Sequence, residues 1–302
     1  MKLENFRGEL LENEPLSDHT SFRIGGRADV LAYPVDRQDL LVLLKEVKAR
    51  RLSFMVIGGG TNLLVRDKGY RGVMISLKRM DAVSVVREYR SLGGSFAVVS
   101  ADAGAPLARL MNFAVERGLT GLEFAAGIPG SLGGAVCMNA GTSLGDIGGV
   151  IDTVTLIDPS GELLSRPRDE MGFGYRTANV AAGEVVLDCT VILRHDDTGK
   201  VKKRVSDLMT QRKQHQPWGM PSAGSVFKNP MDEAAGRFIE SAGLKGKTVG
   251  KAQVSEKHAN FIVNLGGATA ADVLALMEII QAKVLAMHNV RLEPEIKIVG
   301  EE

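Results

Sequence analysis

The sequence predicts a mixed α+β (α/β) protein of two or three lobes, on three observations. Its 302 residues exceed what a single core of ordinary size takes. Segments with a 3.6-residue apolar period alternate along the chain with short apolar runs of strand type. The character changes near Asp196, after which the chain turns basic and then builds a second, smaller set of helices and strands.

Residues 36–51 read as an amphipathic helix with Leu40, Leu43, Leu44 and Val47 on one face. Residues 54–57 read as a short buried strand that runs straight into Gly58-Gly59-Gly60-Thr61-Asn62-Leu63-Leu64, and 73–77 and 97–101 as two more strands. Residues 106–117 are helical, opened by Pro106 and stopped by Gly118. The stretch 127–149, GIPGSLGGAVCMNAGTSLGDIGG, reads as irregular, too apolar and too varied for a flexible linker. Residues 150–157 and 162–165 flank the turn Asp158-Pro159-Ser160-Gly161 as a β-hairpin, and 185–194 is a further strand. A basic helix at 198–214 closes on Gln216-Pro217-Trp218-Gly219. Helix 233–242, strand 261–264, helix 270–288 and strand 295–299 follow. This divides the chain into 1–196, itself in two parts of approximately 1–77 and 78–196, and 197–302.

Hydrophobic residues at 44% and charged residues at 24% are the proportions of a globular domain. With 37 basic against 36 acidic residues the chain lacks the field that nucleic acid or an anionic membrane surface would require. The longest apolar stretches fall short of the roughly 20 residues that cross a bilayer. The charged N-terminus MKLENFRGELLENEPL is unlike a signal peptide. Cys137 and Cys189 form no framework and no CxxC pair, which fits a reducing compartment, the cytoplasm. Five histidines without metal spacing predict no catalytic metal.

The 35 glycines cluster, and the clusters carry most of the information. After a strand, GGGTN can let backbone N–H groups approach a phosphate closely, with Thr61 and Asn62 adding side-chain donors. It is neither a Rossmann fingerprint nor a Walker loop. It reads equally as a tight strand-to-loop turn. A second cluster, Gly127-Ile128-Pro129-Gly130-Ser131 with Gly133-Gly134, suits the other end of a long dinucleotide, or else a loop that needs glycine for packing. Cys137 lies inside that second loop and reads as a small buried filler rather than a flavin partner.

GGGTNLL, AGIPGSLGGAVCMNAG, GYR, AGSVFKNP and LEPEIKIVG occur in this order. The series resembles the UDP-N-acetylenolpyruvoylglucosamine reductases over residues 21–300. The two glycine motifs occur more widely in flavoproteins of the vanillyl-alcohol-oxidase (PCMH) type, whereas GSVFKNP and the PEI ending point to the reductases. The resemblance implies a two-subdomain FAD-binding module with non-covalent FAD and a small C-terminal α/β substrate lobe. It implies reduction of an enolpyruvyl ether on UDP-N-acetylglucosamine to UDP-N-acetylmuramate in peptidoglycan precursor synthesis. NADPH gives a hydride to FAD, the flavin passes one to C3 of the substrate, and a proton goes to C2. The protein must then supply a proton donor and stabilise an enolate.

On the same resemblance Gly58, Gly59, Gly60, Thr61, Asn62 and Leu63, with Gly127, Ile128, Pro129, Gly130, Ser131, Gly133 and Gly134, hold FAD. Ser225 matches the proton donor. Arg176 matches an arginine that can grip a carboxylate bidentately. Glu295 matches a glutamate that works with that arginine, and Glu293 is its decoy. Read alone, Ser225 is a turn serine and Arg176 a surface ion-pair partner. Tyr175, Lys213, Asn229 and Asn260 are placed at the substrate, with Arg212 competing for the role of Lys213. Only a strand and the basic helix separate Arg176 from Ser225, which indicates the shorter type of the family, without a capping-tyrosine loop. The partners expected are the enolpyruvyl UDP-sugar and NADPH, with no nucleic acid and no membrane insertion, and the chain is expected to be a monomer. The other readings are a related FAD-dependent alcohol or lactone oxidase and a non-catalytic nucleotide-binding module.

Overall fold

The computed structural model describes residues 3–230 and 233–302. Met1 and Lys2, at the head of the charged N-terminal segment, lie outside the described residues. The chain forms two compact units, neither continuous in sequence. One gathers the chain up to Leu11 with Val30–Gly59 and Val73–Gln211. The other gathers Glu12–Asp29, Gly60–Gly72 and Arg212–Glu302.

The first unit holds a large antiparallel sheet in the order Leu163–Pro167, Ile151–Ile157, Val185–His195, Gly94–Asp102, Val83–Ser91, with Leu119–Thr120 against the end of Val185–His195. In Val185–His195 alternate residues such as Cys189, Val191 and Leu193 are buried, the period-2 pattern of a strand with one covered face. Helix α1, Arg37–Ala49, is capped by the Asp36 side chain and buries Leu40, Leu43 and Val47. Helix α2, Leu107–Glu116, follows Pro106 and buries Leu107, Leu110, Met111 and Ala114. Phe54–Ile57 pairs in parallel with the later half of Tyr70–Ser76, Phe54 opposite Val73. These faces share one apolar core.

The glycine-rich stretch 127–149 is not irregular throughout. It contains a third helix, α3, Leu132–Cys137, whose start is capped by the Ser131 hydroxyl accepting from the Gly134 N–H at 3.4 Å. Leu132, Ala135 and Val136 are buried, which outweighs the poor helix propensity of Gly133 and Gly134. Cys137, expected as a buried filler, is exposed at the end of α3, while Cys189 is buried. Burial pushes the Cys189 thiol pKa up, so it packs as an inert apolar group.

The basic helix, α4, Thr198–His215, begins in the first unit. There Arg204 donates to Glu123 at 3.0 Å and to Asp196 at 2.7 Å. Burial works against ionisation of Glu123, but bonds from Thr120, Gly121 and Arg204 hold its pKa below the usual value.

The second unit is built on an antiparallel sheet in the order Ser222–Ser225, Phe261–Asn264, Ala252–Val254, Thr248–Val249. Two helices, α5 (Ala235–Ser241) and α6 (Ala270–His288), contribute Ile239, Val273, Leu276, Ile280 and Val284 to its core. The start of α6 is fixed twice over. Thr269 and Asp272 form a capping box, and the Asp67 carboxylate accepts from Ala270 N–H at 2.8 Å and Ala271 N–H at 3.0 Å. Leu63–Val65, directly after the first glycine loop, pairs in parallel with Lys297–Val299.

Candidate active site

In the first unit the two glycine clusters meet. A Cβ placed on Gly58 would lie 2.3 Å from Ser131 Oγ, so only glycine permits this approach. Gly58, Gly59 and Gly134 are exposed there, which leaves bare backbone beside a hydroxyl, a fit for the phosphates of a dinucleotide. Not every predicted amide faces that cradle. Gly133 N–H donates to Ala103 C=O, and its neighbour Leu132 N–H to Ala105 C=O, both at 2.8 Å, and these bonds seat the loop on the chain before α2. Gly130 takes φ +115° and its carbonyl accepts from Leu107 N–H at 2.9 Å. In the second unit Gly60, at φ +60°, packs against the carbonyl of His19.

Arg176 belongs to the first unit. Gly174 and Thr177 exchange backbone hydrogen bonds of 3.1 and 3.3 Å, closing a tight turn over Tyr175 and Arg176. Arg176 stands at φ +56°, a left-handed conformation that costs a non-glycine residue about 1 kcal/mol. Its Nη1 donates to Gly141 C=O at 3.2 Å, and its guanidinium lies 5.3 Å from the Tyr175 ring centroid. Tyr175 is 55% exposed.

Ser225 and Glu295 come together in the second unit. The register between Ser222–Ser225 and Phe261–Asn264 shifts just before Ser225, where Gly224 takes φ +75°. Such a bulge re-aims the side chain that follows it. Glu295 N–H donates to Val226 C=O at 2.8 Å, and Lys228 N–H to Glu293 C=O at 2.9 Å, so the segment carrying Glu295 runs alongside the one carrying Ser225. Asn62 locks that segment from the first glycine loop: its Nδ2 donates to Glu295 C=O at 3.1 Å, and its own carbonyl accepts from Lys297 N–H at 3.0 Å. The backbone of Leu63 is in register with Lys297.

The remaining predicted substrate residues sit in the same unit with mixed exposure. Asn229 Oδ1 accepts from Ala235 N–H at 3.0 Å and so caps α5. Asn260 is 2% exposed; its Oδ1 accepts from Phe227 N–H at 3.0 Å and its Nδ2 donates to Phe227 C=O at 2.8 Å. Lys213 is exposed, with its ammonium 5.5 Å from the Trp218 ring centroid. Among the described residues no group of three or more His, Cys, Asp or Glu side chains is placed to hold a metal.

Two positioning residues escaped the sequence reading. Ser21 Oγ donates to Ser222 C=O at 2.7 Å, holding the strand of Ser225. Asn139, just after α3, donates to Gly174 C=O at 2.9 Å. Asn139 lies within the MNAG motif, but nothing in a lone asparagine signals a partner that far along the chain.

Comparison with known proteins agrees with this layout. Residues 28–165 match the FAD binding domain family, and 216–299 match the UDP-N-acetylenolpyruvoylglucosamine reductase C-terminal domain. The reductase of that name from Bacillus pumilus is 42% identical, over 99% of this chain and 97% of its own. The one from Caldanaerobacter subterraneus subsp. tengcongensis is 44% identical, over 98% and 95%. The crystal structure of the Thermus caldophilus enzyme superposes with a TM-score of 0.81 at 34% identity, covering 97% of this chain and 98% of that one. With such identity over nearly the whole of both chains, the protein belongs to the UDP-N-acetylenolpyruvoylglucosamine reductase family.

Proposed function

We propose a division of labour for the reaction that this family membership brings. The chain is an FAD-dependent oxidoreductase of peptidoglycan precursor synthesis that uses NADPH to reduce the enolpyruvyl ether of UDP-N-acetylenolpyruvoylglucosamine. When bound, FAD supplies the hydride relay from NADPH to the substrate. The residues of the chain hold the reactants and manage charge and proton. Gly58 to Leu63 and the loop from Gly127 to Gly134 hold the cofactor without a covalent bond. Arg176 grips the carboxylate next to C2 and offsets the negative charge that develops there. Ser225 delivers the proton to C2, and Glu295 takes part in handling the charge of the enolate. Tyr175 and Lys213 face the substrate. Asn229 and Asn260 shape its site through α5 and the Phe227 backbone.

The observation that carries this reading is the 2.8 Å bond from Glu295 N–H to Val226 C=O, which sets the two proton-handling residues on adjoining segments. The match of residues 216–299 to the reductase C-terminal domain family speaks against the oxidase alternative. The test is Ser225→Ala. It should keep FAD and its bleaching by NADPH, while anaerobic reoxidation by the enolpyruvyl sugar falls by about 10²–10⁴-fold. Normal reoxidation would remove Ser225 from the proton-donor role.

Residues 1–196 form the proposed FAD-binding part and 197–302 the substrate-binding part, a division supported by the spans of the two matched families, 28–165 and 216–299. The reaction is assigned to the cytoplasm, a reducing compartment that suits an exposed Cys137. No described helix is long and apolar enough to cross a membrane. The working form is proposed to be a monomer. Light scattering should give a molar mass near the 32.3 kDa of the chain, and a stable dimer would contradict this.

A further inference from the structure

The Tyr175-Arg176 turn carries a strained residue. Tyr175 is 55% exposed, Arg176 occupies a left-handed conformation, and two backbone bonds close the turn. A strained residue persists where its surroundings over-determine it. Here the surroundings are the segment that leaves the second glycine loop. Asn139 is 4% exposed, and both ends of its side-chain amide are engaged. Oδ1 accepts from Gly148 N–H at 2.9 Å, and Nδ2 donates to Gly174 C=O at 2.9 Å. Gly148 is the only residue type that leaves room for this bridge, since a Cβ there would stand 2.9 Å from Asn139 Oδ1 and 2.6 Å from the Phe173 ring. Two residues beyond Asn139, Gly141 C=O accepts from the Arg176 guanidinium at 3.2 Å. The base of the turn and the tip of the arginine are therefore both tied to the stretch 139–141, which follows α3 and its Ser131 cap.

We propose that Asn139 is the positioning residue for Arg176: its buried amide fixes the Gly174–Thr177 turn to the second glycine loop, so that seating the cofactor on that loop also sets the arginine. Removing Nδ2 frees the turn to leave its strained conformation, and the guanidinium loses its aim while the cofactor loop stays intact. This inference rests on the reading of Arg176 given above.

Asn139→Asp is the near-isosteric test. It keeps the acceptor for Gly148 N–H but turns an oxygen toward Gly174 C=O in place of the donor. Asn139→Ser, which is too short to bridge, serves as the second variant should the aspartate variant fail to fold. Four quantities are measured: FAD content by visible absorption, bleaching by NADPH, anaerobic reoxidation by the enolpyruvyl UDP-sugar, and amide hydrogen exchange over residues 172–178 with and without FAD. FAD content and bleaching should match the parent enzyme. Reoxidation should fall by about 10- to 100-fold, the scale of a catalytic group misplaced by an ångström. In the parent, FAD should slow exchange over 172–178, and in the variants that slowing should be lost. The decisive comparison is a cycle with Arg176→Ala. If Asn139 acts through the arginine, its substitution adds nothing in that background.

An equal further loss in the Arg176→Ala background, or unchanged reoxidation in both Asn139 variants, overturns the proposal. So does a uniform drop in FAD content and in both half-reactions, which marks a merely structural role. Normal reoxidation by Arg176→Ala alone has a different meaning: the reading of Arg176 itself fails.

Discussion

Glu293 and Glu295 stand two positions apart in one motif, yet their surroundings differ. Glu293 is exposed and meets Lys228 Nζ at 3.4 Å, the kind of surface pair that contributes about 0–1 kcal/mol. Glu295 is half-buried, and its backbone is bonded at both ends, to Val226 and to Asn62. Glu293→Gln should therefore change turnover by less than about twofold. Glu295→Gln should slow reoxidation of the flavin by substrate about 100-fold. Anaerobic stopped-flow absorption on the two variants checks both values, and the reverse ranking would reassign the glutamate. The sequence motif pointed to Glu295 through its PE dipeptide, and the exposure of Glu293 supports that choice. What the motif could not carry is why Glu295 is held. Asn62 reads in sequence as one more donor of a phosphate loop, whereas in the fold its side chain turns to a carbonyl 233 positions away.

Elements with a clear period were legible. The apolar stripe of 36–51 became α1, Arg37–Ala49, and 270–288 became α6 with the same bounds. Val83–Ser91 went unseen because its sequence, VSVVREYRS, mixes three charged residues into a strand with mostly exposed side chains. Helix α3 went unseen because Leu-Gly-Gly-Ala-Val-Cys has little helix propensity, and packing of Leu132 and Val136 decides its form. Tertiary contact also explains the meeting of the two glycine loops, which no local pattern encodes. That meeting makes a prediction for the pair as a unit. Gly58→Ala forces Ser131 off its cap of α3 and should weaken FAD binding by about tenfold or more. Titration of apoprotein with FAD measures this, and Gly58→Ala with Ser131→Gly should recover most of the loss. No recovery would mean that the loops are not coupled through this contact.

For the molecule as a whole, acid sensitivity has a named source above the carboxylate range. His258 lies against Phe261 with ring centroids 4.8 Å apart, and its Nδ1 accepts from Asn260 N–H at 3.2 Å. Burial lowers its pKa below the ordinary 6.5. The unfolded chain then binds a proton that the folded chain refuses, so stability is full above pH 6.5 and falls as the pH drops from there toward the folded value. Asp272, held below its usual pKa by the Thr269 N–H, and Glu184, held by Arg166, add losses only at lower pH. Urea midpoints measured between pH 7.5 and 5 should decline for the parent and stay flatter for His258→Gln; equal slopes would discharge His258. The pairing of Leu63–Val65 with Lys297–Val299 also bears on the birth of the protein. On a ribosome adding roughly 5–20 residues per second, the strand beside the first glycine loop waits on the order of 10–50 s for its mate to be made. A nascent chain that has already emerged with both glycine clusters is still missing the strand that completes one of them. Cofactor capture during synthesis therefore has to wait until residues 297–299 have left the ribosome.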